Sequence, residues 1–217
     1  MYTILTDSCS DLSRQITSEF DRLEVLPLFY TISGVTSNEQ FDSEERGTAF
    51  YDRLRAGENC TTSQIPPAEF FDVFKKYAQK GEAVLGLIFS SALSGTYASA
   101  CVARDMVLEE IPDARIELID TLAASAGEGL IVYDALVNRK AGMSLEDNAA
   151  WIRGRLQSYA HWFTVDDLHF LKRGGRCSPS AAFFGTMLKI KPVLHVDSEG
   201  KLIARSKVRG RMQALHA

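Results

Sequence analysis

The residues of this chain best suited to chemistry are hydroxyl-rich turns set beside apolar runs. Val84-Leu85-Gly86-Leu87-Ile88-Phe89 reads as a buried strand that delivers Ser90-Ser91-Ala92-Leu93-Ser94-Gly95-Thr96 to the start of a helix over Tyr97 to Glu110. The first turn of such a helix carries unpaired backbone N–H groups and a partial positive charge, which suit a carboxylate or a phosphate. Ser94 and Thr96 add hydroxyl donors, and Gly95 allows close backbone approach. The same residue types serve as an ordinary helix N-cap, so this turn alone does not decide a function.

Other segments of similar character are Thr61-Thr62-Ser63-Gln64-Ile65-Pro66-Pro67, Thr6-Asp7-Ser8-Cys9-Ser10-Asp11-Leu12, and Leu168-His169-Phe170-Leu171-Lys172-Arg173-Gly174-Gly175-Arg176-Cys177-Ser178. In this order they resemble the DegV family of fatty-acid-binding proteins. The resemblance extends through Lys189-Ile190-Lys191-Pro192 to Lys207-Val208-Arg209. It implies a two-domain carrier that holds one long-chain fatty acid, such as palmitate, with its carboxylate on Thr62 and Ser94 and the Gly95 N–H beside them. It implies no cofactor other than the bound acid, and a separate fatty-acid kinase as a partner that phosphorylates the carried carboxylate. Arg173, Arg176, Lys207 and Arg209 would face the head group or that partner, and Ser125 is a further candidate for that role. Family members continue well beyond the Lys207-Val208-Arg209 segment, so a shortened second domain is expected. Cys9 stands where many relatives have a hydroxyl residue.

Composition narrows the alternatives. In 217 residues, 46% are hydrophobic and 24% charged, values of an ordinary globular protein with material for a sizeable core. A net charge of −4 argues against nucleic acid as the main partner, although basic residues crowd the last quarter. No apolar run reaches the length of a membrane span, and Met1-Tyr2-Thr3-Ile4-Leu5-Thr6-Asp7 lacks a basic leader, so a cytoplasmic location is expected. Cys9, Cys60, Cys101 and Cys177 show no Cys-x-x-Cys spacing, which indicates neither zinc nor a redox dithiol. The rival reading is a serine-dependent hydrolase acting on a small acyl ester, with Ser94 as nucleophile. Gly-x-Ser-x-Gly is absent, and the bases on offer are the distant His161, His169, His195 and His216. Phosphate-loop signatures are absent too.

The elements that must position these turns follow from pattern. Tyr2 to Thr6 reads as a first strand, with a helix over Asp11 to Phe20 capped by Ser10 and a second strand over Leu23 to Tyr30. Val35 to Phe41 reads as irregular or an edge hairpin, and Ser43 to Arg55 as helical. Pro66 and Pro67 open a helix whose Phe70, Phe71, Phe74 and Tyr77 face a core. Arg115 to Asp120 is a further strand, with helices over Leu130 to Lys140 and Leu145 to Tyr159. In an open parallel sheet the turns after the strands share one edge, which would gather Asp7, Ser8, Ser91, Ser94, Asp120 and Ser125. From Trp162 the pattern changes to a strand, a short helix through Leu171, a helix over Ser180 to Leu188 and a hairpin about Asp197-Ser198-Glu199-Gly200. The helix Ala181 to Leu188 reads first as ordinary core packing and is otherwise the candidate wall for a lipid tail. The fold class is therefore α/β. A three-layer α/β/α domain with a mostly parallel sheet spans residues 1–158, and a smaller α/β domain spans residues 159–217.

Overall fold

Apolar side chains alternate along the first strand so that Tyr2 and Ile4 point to one side and Leu5 to the other, and both sides need cover. The computed structural model, which describes residues 1–38, 44–166, 168–176 and 190–217, supplies that cover with helices on both faces. Strands β1 (Tyr2–Asp7), β2 (Leu23–Leu26), β6 (Ala83–Ile88) and β7 (Ile116–Asp120) form a parallel sheet in the order β2-β1-β6-β7. Every residue of the central β1 and β6 is buried.

One face packs Ile4, Leu85, Leu87 and Ile119 against α5 (Ser125–Lys140) and α6 (Leu145–Arg153). The opposite face packs Leu5, Val84, Ile88 and Leu118 against α3 (Pro67–Ala78) and α4 (Thr96–Glu110). Of the expected aromatic stripe, Phe70 and Phe74 are fully buried and stacked at 5.7 Å, while Phe71 and Tyr77 are partly buried against the same cluster.

Two antiparallel sheets complete the described fold. Strands β3 (Phe29–Ile32), β4 (Val35–Asn38) and β5 (Cys60–Ser63) pair in the order β4-β3-β5, with α2 (Glu44–Arg55) between β4 and β5 in sequence. Strands β8 (Trp162–Phe163), β9 (Ile190–Val196) and β10 (Leu202–Arg209) pair in the order β10-β9-β8. The short helices are α1 (Arg14–Glu19), α7 (His169–Arg173) and α8 (Arg211–His216). Among the described residues no helix is long and apolar enough to cross a membrane.

Several expected boundaries move, each for a local reason. The strand expected over Leu23 to Tyr30 is two strands, because Pro27 has no N–H to continue a ladder, and Phe29 begins pairing in a different sheet. The first helix starts at Arg14 rather than Asp11. The Ser10 hydroxyl is turned back to donate to the Asp7 carbonyl, Asp11 adopts φ +48°, and Ser13 caps the Ile16 N–H instead. Helix α5 begins at Ser125, five residues before the expected start, and α6 stops at Arg153. The expected helix over Ser180 to Leu188, with its proposed tail wall, lies outside the described residues.

Phe74 carries much of the α3 contact with the sheet. Phe74→Ala is expected to cost about 3–5 kcal/mol in a urea titration, and a loss below about 1 kcal/mol would contradict its placement in the core.

Candidate functional site

The carboxyl ends of β1, β6 and β7 do share one edge, and the two aspartates there are occupied by the backbone. Asp7 is buried; its carboxylate accepts from the Cys9 N–H at 3.0 Å and from the Phe89 N–H at 2.9 Å, tying the β1 turn to the β6 turn. Asp120 accepts from the N–H groups of Ser91 and Leu122 at 3.1 and 3.2 Å. These carboxylates shape the edge, and neither they nor Ser91 line the two large cavities described next.

The first cavity has a volume of about 610 Å³ and brings Thr62 and Ser94 together. Thr62 arrives on β5, opposite Tyr30 of β3, and is exposed; Ser94 arrives on the turn into α4 and is half-buried. Leu28, Phe50, Leu54, Phe89 and Phe170 give the cavity apolar walls. Gly174 and Arg176 close one side, just past the point where Gly174 and Gly175 end α7. The Arg176 Nε donates to the Leu93 carbonyl at 3.0 Å and its Nη1 to the Gly174 carbonyl, which pins the guanidinium over the Ser94 turn.

A second cavity, of about 680 Å³, adjoins the first: Cys9, Phe89, Leu171 and Arg176 line both. Its walls come from the parallel-sheet edge (Ser8, Ala126, Leu130) and from the last sheet (Trp162, Phe163, Leu202). Ser125 lines this second cavity, donating to the Asp11 carboxylate at 2.5 Å.

Other expected residues take different places. Gly95 does not line the cavity: a Cβ there would stand 1.9 Å from the Gln64 Oε1, so the close approach that glycine permits is to the Gln64 amide. Thr96 is fully buried beneath Ser94, with 2.9 Å between their hydroxyl oxygens, and does not face the cavity. Lys207 and Arg209 lie exposed on β10 and line neither cavity. The Arg173 side chain lies outside the described residues. Cys9, noted in the sequence only as a departure from a hydroxyl residue, lies at the junction of the two cavities; the wall formed by Trp162 and Phe163 was not singled out by sequence, and the aromatic pair at the pattern change was the available signal.

The histidines give Ser94 no base among the described residues. His161 lines the second cavity, with burial lowering its pKa and neither ring nitrogen hydrogen-bonded among the described residues, while His195 stacks on Trp162 at 5.2 Å. Among the described residues Cys60 and Cys101 are free thiols; burial pushes the Cys60 thiol pKa up, away from nucleophilic reactivity. No group of three or more His, Cys, Asp or Glu among the described residues is arranged to hold a metal ion.

A model described as an uncharacterised protein of the DegV family matches residues 1–217. The chain belongs to the DegV family. A DegV domain-containing protein of Clostridium perfringens is 41% identical over 214 residues, covering 99% of this chain and 73% of the relative. A DegV protein of Thermus thermophilus, described for its fatty acid binding, is 35% identical at a TM-score of 0.83, over 99% of this chain and 74% of that one. A stearic acid-binding protein of Eubacterium ventriosum is 26% identical at a TM-score of 0.86, over 100% of this chain and 73% of that one.

One buried acid of this DegV chain titrates abnormally. Glu128, on the first turns of α5, is fully buried; its Oε1 accepts from the Thr6 hydroxyl at 3.3 Å and its Oε2 has no hydrogen-bond partner among the described residues. Burial, then the neighbouring Asp7 charge, raises its pKa well above the ordinary 4.5, which favours the protonated form. With the folded value raised, the stability it contributes is complete below the unfolded value and declines as pH rises toward the folded one. Glu128→Gln is therefore expected to gain urea midpoint relative to wild type at pH 8 compared with pH 4.5. An equal offset at both pH values would contradict a raised Glu128 pKa.

Proposed function

We propose that this chain carries one long-chain fatty acid, its carboxylate held by Thr62, Ser94 and Arg176 and its tail in the adjoining apolar cavities. The observation that carries this reading is that two alcohol side chains from separate elements line one apolar-walled cavity beside a pinned guanidinium. The relatives described for fatty acid binding support the ligand class.

An amphiphile sets two tasks. Removing about 14 methylenes from water at ~0.8 kcal/mol each yields roughly 11 kcal/mol gross. A carboxylate brought to the border of that apolar space needs partners, each hydrogen bond to it contributing about 1.5–3 kcal/mol. The tail thus sets affinity and the head sets orientation. In this reading the units are residues 1–158 and 159–217, and the second cavity lies where they meet. In this reading the protein holds its acid for chemistry done elsewhere: among the described residues Ser94 bonds to Thr96, and no histidine is hydrogen-bonded to it as the base a hydrolase needs. A separate fatty-acid kinase acting on the carried carboxylate fits that role, with Lys207 and Arg209 on exposed β10 as the face offered to it.

Extraction of the purified protein followed by mass spectrometry should yield a stoichiometric long-chain acid. In calorimetric titration with palmitate, Thr62→Ala and Ser94→Ala are each expected to weaken binding about tenfold or more; the thermal midpoint should change little in Thr62→Ala and fall in Ser94→Ala, which leaves the buried Thr96 hydroxyl without its acceptor. Undiminished affinity in both variants would remove these hydroxyls from the site.

A further inference from the structure

The hydrogen bonds beneath Ser94 fix the direction of its hydroxyl hydrogen. Thr96 is fully buried, and its Oγ1 accepts from the Ile65 N–H at 3.4 Å. Its own hydrogen needs an acceptor, since a buried hydroxyl donor left unpaired costs stability. Among the described residues the acceptor within reach is the Ser94 Oγ, at 2.9 Å. Ser94 Oγ also accepts from the Thr96 N–H at 3.2 Å. A hydroxyl oxygen has two lone pairs and one hydrogen. Thr96 takes both lone pairs, so the remaining valence of Ser94 is its O–H, directed away from Thr96.

We infer that Thr96 is a positioning residue that commits Ser94 to donate, which makes the Ser94 end of the cavity a receptor for a head group that only accepts, an ionised carboxylate. This rests on the reading of the cavity given above and names what sets its preference. The same contact registers the two halves of the site. Ile65 follows β5, two residues after its end at Ser63, and its N–H bond to Thr96 holds that segment on the first turn of α4. Gln64 adds a second tie, donating through Nε2 to the Ser99 Oγ at 2.9 Å, with its amide against Gly95. Thr62 and Ser94 are thereby held together at the wall of the first cavity by backbone and side-chain bonds.

A double-mutant cycle on the full chain tests this, with palmitate as the probe in calorimetry. Ser94→Ala is expected to lose about tenfold in affinity, and Thr96→Val, which keeps the Ser94 hydroxyl but no longer holds its direction, a smaller and measurable part of that. The combined variant should lose no more than Ser94→Ala alone, because Thr96 acts on the acid only through the Ser94 hydroxyl. Thr96→Ser, which keeps the hydroxyl, should stay within about threefold of wild type. Losses that multiply in the double variant, or Thr96→Ser behaving like Thr96→Val, would overturn the inference while leaving the lipid site intact. A wild-type protein that takes up no palmitate would instead overturn the reading beneath it. Because the valine variant can fail to fold, a second measurement stands beside the cycle: the pH titration of bound palmitate carrying a ¹³C-labelled carboxyl. In wild type the bound acid should stay ionised to a pH about one unit lower than in Ser94→Ala. Identical titrations in the two proteins would show that Ser94 is not a committed donor.

Discussion

The central strands β1 and β6 bury every residue, so the parallel sheet has no face on which to build a site and its chemistry is confined to the loops at its carboxyl edge. That constraint orders the rest of the described structure. The loops must be stiff to present side chains, and Asp7 and Asp120 stiffen them by accepting backbone N–H groups across neighbouring turns. Ser90 extends the stitching to the last sheet, its hydroxyl donating to the Gly200 carbonyl at 3.0 Å in the β9–β10 turn. The edge is thereby fixed before any ligand arrives, the arrangement that lowers the ordering cost of binding.

A fixed edge of hydroxyls and backbone amides is polar, yet both cavities beside it are walled largely by apolar and aromatic side chains. The small sheet β4-β3-β5 produces this contrast. It brings Thr62 toward α4 and places Phe29 and Tyr30 along the first cavity, where Tyr30 packs edge-on against Phe50 of α2 at 4.8 Å. Leu28, just before β3, is tied through its N–H to the Ser8 hydroxyl at 3.0 Å, so the small sheet is anchored to the β1 turn as well as to α4. An amphiphilic acid is the ligand that needs both surfaces within one molecule's length.

Much of this was legible in the sequence, and the part that was not has physical causes. The short run Tyr2 to Thr6 of β1 and the continuous apolar run of β6 announced the buried sheet, and the hydroxyl clusters marked where its turns fall. Thr62 and Ser94 were legible as types suited to an acid, but their meeting depends on β5 leaving the main sheet, which Pro27 helps bring about by ending β2 early. The role of Gly95 was misread from type alone, since freedom from a Cβ does not say which neighbour exploits it, and here the Gln64 amide does. Thr96 looked like a second donor for a ligand; only its complete burial shows that it serves Ser94 instead. Arg176 was one of several arginines in sequence, distinguished by hydrogen bonds to carbonyls that no pattern encodes.

The most direct test of the central claim is a crystal structure of this chain grown with a saturated long-chain acid. The account predicts a carboxylate within about 2.5–3.0 Å of both the Thr62 and Ser94 hydroxyl oxygens, with the tail passing Cys9 and Phe89. An acid whose head lies beside His161, or whose head contacts neither hydroxyl, would contradict it.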